Sequence, residues 1–588
     1  MANTDRPIAV RVRPAGLAEA PRAGFQGLRV EQIILGVAAA LLLILVGYPL
    51  LWLLLGSLGV PQRLDLTTFQ QVARDPSFRQ PLVNTVILAI GTAILSTVFG
   101  VPLAWFAART DVPLKRFLRI SVAVAYIVPP YLTALAYIIL AGPNAGILNR
   151  LFVSVTGAAQ GPINVFSLIG VMFVIALHSF AIVFFFTYSA LLSIDASQEE
   201  AARILGASRL QTTIRVTLPL VMPSITAGAL LAGVTSMALF GPQAFIGMPG
   251  RVFFLPTRIY ALFGRYPPAI AEASALAFAL IVLTVIGLGI QRWYLAKKSY
   301  VTVSGKSNRA APMELGPWKW VGLSFCLVVI CLAVIFPVLV LVNASISKSW
   351  VAPFSLDNLT TSNFHYALFE EPMTQRGIVN SLKLAAGAAT LAMVIGAFIA
   401  YLNRRTAVRG RQALDYLSIL PLGLPGIVLA VGLLQAWIRP PLVLYGTIWI
   451  LLVTYIVRFI PLAVRSADAS IQQVDPSLED AARISGASWM QTVRLITARL
   501  IQPGLLVGWI LVFIPAIGEL SATILLYSAG NETMAVALYR LRELGRLELV
   551  ASIAVMKIVM TLAALYVAQR IAGKELDELA SGGRSGGG

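Results

Sequence analysis

Apolar runs of about 20 residues recur along the whole chain, and they limit what this sequence can form more than any other feature. A run of this length crosses the hydrocarbon core of a bilayer as an α-helix. Hydrophobic residues make up 58% of the chain and charged residues 12%, which is more apolar surface than a water-soluble fold can bury. The sequence therefore predicts an all-α protein that crosses a membrane many times.

We predict about twelve transmembrane helices, six in each half of the chain. The first six cover residues 33–56, 81–107, 117–141, 164–192, 220–247 and 268–295. The second six cover residues 316–343, 379–402, 414–438, 443–467, 500–527 and 548–570. The predicted organisation is a basic cytoplasmic tail (1–30), a first half (31–296), a linker (297–315), a second half (316–572) and a flexible tail (573–588).

The distribution of basic residues predicts the orientation of the helices. Lysine and arginine are frequent in the N-terminal tail, in the linker and in the loops that follow spans two, four, eight and ten. Because such loops stay in the cytoplasm, we expect an inner-membrane protein with both termini cytoplasmic. The net charge of +19 is explained by these loops, and we expect no nucleic-acid partner because no basic patch contains interleaved aromatic residues.

The two halves repeat one another. Three matched pairs are separated by 296 residues: Asn84-Thr85 with Asn380-Ser381, Arg109-Thr110 with Arg405-Thr406, and Pro129 with Pro425. Further along, the matched residues are separated by 280, which predicts 16 extra residues as a loop between Gly142 and Gly161. Since each half has an even number of spans, the repeats are predicted to run parallel, about an axis along the membrane normal.

A long loop after span four, residues 195–219, has the sequence of a short capped helix and a turn; we call it loop 1. Asp195 is a suitable N-cap, with Gln198 placed to complete a capping box, and Gly206 suits the left-handed residue that ends a helix. Loop 2, residues 475–499, repeats the design with Asp475 as the cap, Pro476 at the first helical position and Gly486 at the end. Because so short a helix is marginally stable alone, we expect each to pack against a partner.

Loop 1 resembles the EAA loop of ABC-importer permeases. The residues that carry the resemblance are Glu200, Ala201, Ala202, Gly206, Leu218 and Pro219. Loop 2 keeps Ala481, Ala482 and Gly486, but Asp480 replaces the glutamate, and Ala498-Arg499 stands where Leu-Pro is expected. The resemblance extends to the prolines of spans three and nine and to residues 517–523, and two fused halves resemble ferric-iron importer permeases, a fusion that thiamine permeases share.

The resemblance implies a type I ABC-importer permease that is not itself an enzyme. It implies two cytoplasmic ATPase subunits, which would use ATP and magnesium and dock on the two loops, and an extracytoplasmic binding protein that delivers the substrate. Ferric iron is the substrate it favours, with thiamine, a polyamine or an organophosphonate as alternatives. The chain shows no phosphate-binding motif, and we predict no catalytic, cofactor-binding or metal-binding residues in it. A gradient-driven transporter or a multipass membrane enzyme are the rival classes.

Charged residues inside the predicted spans are candidates for function, because charge is costly in a bilayer. Glu519 and Lys557 lie at similar predicted depth, and both are absent from the first half, so we expect them to form an ion pair. A gate or pathway role, or contact with the substrate, are the alternatives. Arg458 and His178 occupy matched positions in the two halves, where they would line the pathway, contact a backbone carbonyl group or extend toward the membrane surface.

Overall fold

The computed structural model describes residues 25–59, 67–297, 312–352, 355–406 and 410–572. These residues form α-helices joined by short connections, and no strand occurs among them. Most of the predicted N-terminal tail and linker, and all of the flexible C-terminal tail, lie outside the described residues. The all-α architecture predicted from the apolar runs is confirmed.

The first half contains fourteen helices within its described residues. They are α1 (Phe25–Leu42), α2 (Tyr48–Ser57), α3 (Thr67–Arg74), α4 (Pro76–Arg109), α5 (Lys115–Ile127), α6 (Pro130–Ala141), α7 (Ile147–Thr156), α8 (Leu168–Ser193), α9 (Ala196–Ile204), α10 (Arg209–Thr212), α11 (Leu218–Ala238), α12 (Phe240–Pro242), α13 (Leu255–Phe263) and α14 (Ile270–Lys297). A π-helical turn, Leu43–Gly47, joins α1 to α2 without a break, so the two form one span.

The second half repeats this order. Its helices are α15 (Trp318–Ile330), α16 (Phe336–Ser345), α17 (Ser362–His365), α18 (Pro372–Arg405), α19 (Arg411–Ile419), α20 (Gly426–Trp437), α21 (Ile448–Gln472), α22 (Ser477–Ile484), α23 (Trp489–Thr492), α24 (Ala498–Ile517), α25 (Thr523–Leu526), α26 (Met534–Glu543) and α27 (Leu547–Ala572). A π-helical turn, Cys331–Ile335, again joins the first two helices. The long helices α4 and α18 correspond to one another, as do α8 and α21.

Ten described helices are long and apolar enough to cross a membrane, and two bent pairs bring the total to twelve. The bent pairs are α5 with α6, at 98°, and the segment Arg411–Gly423 with α20, at 114°. Each pair occupies one predicted span, the third or the ninth, and the structure shows a sharp break inside it. Pro129 and Pro130 cause the first, because a proline has no amide hydrogen to donate and its ring clashes with the preceding turn.

Spans five and eleven end earlier than predicted. They were expected to continue to residues 247 and 527, but α11 ends at Ala238 and α24 at Ile517. The backbone leaves the helical conformation at Leu239, which has φ −77° and ψ 102°. In the second half the residues after Gly518 form a turn before the short helix α25. The chain therefore stops crossing the membrane after Ala238 and after Ile517 and changes direction there.

The second and fourth spans of each half pack closely, and a glycine makes this possible. A Cβ atom added to Gly100 of α4 would lie 2.8 Å from the carbonyl oxygen of Phe180 in α8. Gly396 of α18 occupies the matched position, where a Cβ atom would lie 2.9 Å from the amide nitrogen of Val464 in α21. Small residues at such contacts let helix backbones approach in a membrane, where lipid removes the hydrophobic drive for association.

The predicted extra segment of the first half, between Gly142 and Gly161, contains the helix α7 where a loop was expected. Asn149 explains why this segment is ordered. Its side-chain amide donates to the carbonyl groups of Gly142 and Ile163, at 2.9 and 2.7 Å, and its side-chain oxygen accepts from the amide of Ile163 at 3.0 Å. One buried side chain thus satisfies backbone groups at both ends of the segment.

The two halves exchange contacts through their first spans. Helix α2 of the first half packs on α20 of the second, and α16 of the second half packs on α6 of the first. The hydroxyl of Tyr137 in α6 donates to the carbonyl of Leu332 at 2.9 Å, and the Gln435 amide in α20 donates to the Ser274 hydroxyl in α14 at 2.8 Å. The first span of each half therefore packs against the bent span of the other half.

On the side of the bundle away from loops 1 and 2, aromatic residues of both halves meet. We call this group the aromatic contact: Phe240, Phe245 and Tyr260 from the first half, and Tyr539 from the second. The ring of Tyr539 lies 5.6 Å from that of Phe245 and 6.0 Å from that of Tyr260. The guanidinium of Arg542 donates to the carbonyl of Phe245 at 2.7 Å. The two halves are therefore in direct contact at the aromatic contact.

Candidate functional site

Loop 1 forms the capped helix and turn that the sequence predicts. The Asp195 carboxylate accepts from the Ser197 amide at 3.0 Å, which starts α9. Gly206 has φ +88°, and the amide of Ala207 donates back to the carbonyl of Ala202 at 3.0 Å, which ends it. The return bond expected from Gln198 is not formed among the described contacts.

The capping box of loop 1 lies one turn later, at the start of α10. The Ser208 hydroxyl accepts from the Gln211 amide, and the Gln211 side chain accepts from the Ser208 amide at 2.9 Å. A serine at the N-cap and a glutamine three residues later satisfy two otherwise unpaired amides. This box fixes the direction in which the chain leaves the turn and enters α11.

Loop 2 has the same geometry. The Asp475 carboxylate accepts from the Ser477 amide at 2.9 Å, and this hydrogen bond holds the pKa of the Asp475 carboxyl below its usual range. Gly486 also has φ +88°, and Ser488 forms the second capping box with Gln491. Both loops therefore form a short helix and a turn, but α22 begins at Ser477, one residue after the predicted start at Pro476.

The residues singled out in the loops lie mostly at the surface. Exposed positions are Glu200, Ala201, Gly206, Pro219, Asp480, Ala481 and Gly486. Ala202, Ala482 and Leu218 are half-buried. Beside the alanines, Ile204 is 85% exposed and Ile484 is 88% exposed. Each loop therefore presents one nearly bare isoleucine at a matched position outside the bundle.

The sequence analysis missed a second acidic residue in each loop. Glu199 and Glu479 precede the residues that were singled out, and both are buried. Each contacts an arginine at the end of a long helix, Arg109 at 3.1 Å and Arg405 at 3.3 Å. The matched arginines were recognised as part of the repeat, so the presence of a glutamate at the same place in both loops could have suggested the pairs.

Glu519 does not pair with Lys557, and that prediction is wrong. The Glu519 carboxylate lies 2.6 Å from Nε of Arg458 and accepts from the amide of Ala522 at 2.8 Å. The turn that follows α24 directs Glu519 toward α21, where Arg458 lies. Arg458 in turn fills the space beside Gly426, at the break between Gly423 and α20. The pair therefore sits where the broken span of the second half changes direction.

Lys557 contacts the other half of the protein. Its ammonium donates to the hydroxyl of Tyr131 and lies 4.7 Å from the centre of the Tyr131 ring. Lys557 is fully buried, and no carboxylate pairs with it among the described residues. Tyr131 follows the Pro129-Pro130 break and stacks on Phe245 of the aromatic contact. Lys557 thus joins α27 to the broken span of the first half.

His178 makes the contact that was expected as the simpler alternative. Its Nδ1 atom lies 3.2 Å from the carbonyl oxygen of Ala125, and its ring stacks on Tyr126 at 5.8 Å. Ala125 and Tyr126 belong to α5, just before the break in the first half. His178 and Arg458 are therefore matched in position, since each lies beside a broken span, but they differ in partner.

The fold and the paired loops define a multi-pass membrane protein built from two fused repeats. Comparison with known families gives the particular assignment. Residues 100–300 and 378–574 each match the family model of the binding-protein-dependent transport system inner membrane component. The chain belongs to this family. It is a multi-pass inner-membrane permease of the ABC-importer class, and its relatives are transport components.

Similar proteins are described as permeases for several substrates. A putative ferric transport system permease, FbpB 1 of Haemophilus influenzae, is 27% identical over 76% of this chain and 70% of its own length. FbpB of Actinobacillus pleuropneumoniae, a ferric transport system permease, is 26% identical over 76% of this chain, which spans 64% of that protein. The putative 2-aminoethylphosphonate transport permease PhnV of Salmonella typhimurium is 25% identical over 40% of this chain and 88% of its own length.

Proposed function

We propose that this chain forms the translocation pathway of an ABC importer and couples it to two separate ATPase subunits, which bind loops 1 and 2. The observation that carries the proposal is the exposed isoleucine at the end of each docking helix, Ile204 in α9 and Ile484 in α22. Both lie in helices that are fixed by caps at each end, and both loops leave the bundle on the same side. ATP and magnesium would belong to the partner subunits.

The proposed orientation places loops 1 and 2, and both termini, in the cytoplasm. The aromatic contact then closes the extracytoplasmic side, where a binding protein would deliver the substrate. Clustered arginines at the loop side support this orientation, since positively charged loops stay in the cytoplasm. Arg404, Arg405 and Arg411 lie at this side of the second half.

Ferric iron is the substrate we propose. The support is that the two relatives matching 76% of the chain are described as ferric transport permeases, whereas the phosphonate relative matches 40% of it. We assign most of the selection to the extracytoplasmic binding protein. Uptake of radioactive ferric iron, compared with 2-aminoethylphosphonate, into proteoliposomes that contain the whole complex would distinguish these substrates.

Docking is tested by substituting the exposed isoleucines. We expect Ile204→Ser with Ile484→Ser to reduce copurification of the ATPase subunit at least tenfold, because each substitution removes a buried apolar contact from the interface. Leu544→Ser is the matched control, since Leu544 is 71% exposed but lies on the opposite side. Undiminished ATPase binding by the double variant would contradict the proposal, as would uptake driven by an ion gradient without ATP.

A further inference from the structure

Each docking helix is held at its base by one buried carboxylate. Glu199 in α9 and Glu479 in α22 occupy matched positions, and each is followed by an exposed acidic residue. A buried charge is costly unless it is paired and hydrogen-bonded, so these two carboxylates need an explanation different from that of their exposed neighbours.

In the first half, Glu199 joins three elements. Its Oε1 atom accepts from the Thr217 hydroxyl at 2.7 Å and lies 3.1 Å from Nη2 of Arg109. Thr217 directly precedes α11, and Arg109 is the last residue of α4. The docking helix is therefore attached at one point to the ends of the second and fifth spans.

The second half repeats the arrangement with different surroundings. Oε1 of Glu479 accepts from the Thr497 hydroxyl at 2.9 Å and lies 3.3 Å from Nε of Arg405, at the end of α18. Oε2 of Glu479 also accepts from the Tyr401 hydroxyl at 3.1 Å. The same arginine–glutamate–threonine group therefore occurs in both halves, as a repeated feature of the fold.

The opposite ends of the same long helices are attached to the aromatic contact. In α4, the Asn84 side chain donates to the carbonyl of Phe253 at 2.9 Å, and the Thr85 hydroxyl accepts from the amide of Leu255 at 2.9 Å. Phe253 and Leu255 lead into α13, which carries Tyr260.

The matched residues of α18 make the matched contacts. The Asn380 side chain donates to the carbonyl of Glu532 at 3.0 Å, and the Ser381 hydroxyl accepts from the amide of Met534 at 2.9 Å. Met534 begins α26, which carries Tyr539 and Arg542. Arg376 strengthens this end, because its Nε atom lies 3.0 Å from the Glu532 carboxylate.

We propose that α4 and α18 transmit movement from the docking helices to the aromatic contact, with Glu199 and Glu479 as the positioning residues at the driven ends. Each helix has 34 residues and is about 50 Å long, so it reaches across the membrane as one continuous helix. An ATPase that moves a docking helix would move the end of α4 or α18 with it. This inference rests on the proposed docking function.

The test measures movement at the aromatic contact when the ATPase works. Spin labels at Tyr266 and Leu544, both exposed on that side, report the distance between the halves after Cys326 and Cys331 are replaced by alanine. The complex with its copurified ATPase is compared before and after addition of ATP, magnesium and vanadate. We expect Glu199→Gln with Glu479→Gln to reduce the change in this distance to less than half, while the ATPase stays bound.

Two further pairs of variants separate positioning from stability. Thr217→Val with Thr497→Val keeps the shape but removes the hydroxyl, and should also reduce the change, whereas Thr217→Ser with Thr497→Ser should restore it. Asp468→Asn is the control, since Asp468 pairs with Arg404 of α18 at the same level but does not touch a docking helix.

A full distance change in both the glutamine and the valine variants, with normal ATPase binding, would overturn the inference and leave the docking proposal intact. Absence of ATPase binding to the unmodified chain would instead overturn the docking proposal, and the inference with it. A loss of thermal stability without any loss of movement would assign the two glutamates a structural role only, and would also overturn the inference.

Discussion

At the scale of single residues, the charged side chains inside the membrane show that position in the sequence does not determine which residues form an ion pair. Glu519 and Lys557 lie at similar depth, but depth does not fix the direction in which a side chain points. The chain leaves the helical conformation after Ile517, which turns Glu519 toward Arg458. Lys557 faces Tyr131 of the other half. The partner of Glu519 therefore depends on the direction of its side chain, which is set by the end of α24 at Ile517.

The Arg458–Glu519 pair predicts a specific pattern of stabilities. We expect Glu519→Gln to lower the free energy of unfolding by about 3 kcal/mol, because it leaves the Arg458 charge without its partner. Arg458→Met combined with Glu519→Gln should cost less than the sum of the two single changes. Lys557→Met with Glu519→Gln is the control and should be additive. Thermal unfolding in detergent measures all of these, and additivity at Arg458 would show that the ion pair contributes nothing.

At the scale of helices, the broken spans are held in shape by their neighbours. A Cβ atom on Gly426, the first residue of α20, would lie 2.4 Å from Nη1 of Arg458 and 2.9 Å from Cβ of Ser521. Gly426 therefore lets the ion pair approach the break directly. Prolines end the helical hydrogen bonding at this break, where the chain bends by 114° and Arg458 packs against Gly426.

This close approach predicts that Gly426→Ala destabilises the protein by about 1–3 kcal/mol, since the added methyl group must displace Arg458 from Glu519. Gly289→Ala in α14 is the matched control, because a Cβ atom there meets nothing within 4 Å. The midpoint of thermal unfolding should fall for Gly426→Ala and stay unchanged or rise for Gly289→Ala. Equal midpoints for the two variants would argue against the crowded geometry at the break.

At the scale of the whole molecule, the two halves depend on each other. Helix α2 approaches α20 closely, since a Cβ atom on Gly432 would lie 2.8 Å from the carbonyl oxygen of Pro49. Tyr48 of α2 also contacts Trp437 of α20, with 5.6 Å between ring centres. Helix α16 makes the reciprocal contact with α6. Neither half covers its own bent span without the first span of the other.

Because of this exchange, we expect the two halves to associate when they are expressed together as separate chains, but neither half to be stable alone. Residues 1–304 and 305–588, expressed together as two chains, should associate and copurify, because the contacts of α2 and α16 do not depend on the peptide connection. Each fragment expressed alone should aggregate or be degraded, since its bent span loses its cover. Size-exclusion chromatography in mild detergent distinguishes the outcomes, and a stable, monodisperse single fragment would contradict the prediction.

The sequence by itself determined the number and order of the spans, the duplication and the two capped loops, because these follow from local properties. Hydropathy fixes which segments cross a bilayer, and the caps at Asp195, Gly206, Asp475 and Gly486 involve residues only a few positions apart. Only the tertiary structure decided the partners of Glu519, Lys557, Glu199 and Glu479 and the exchange of first spans between halves. Those contacts join residues far apart in the chain, so they depend on how the helices are rotated and bent against one another, which no local pattern specifies.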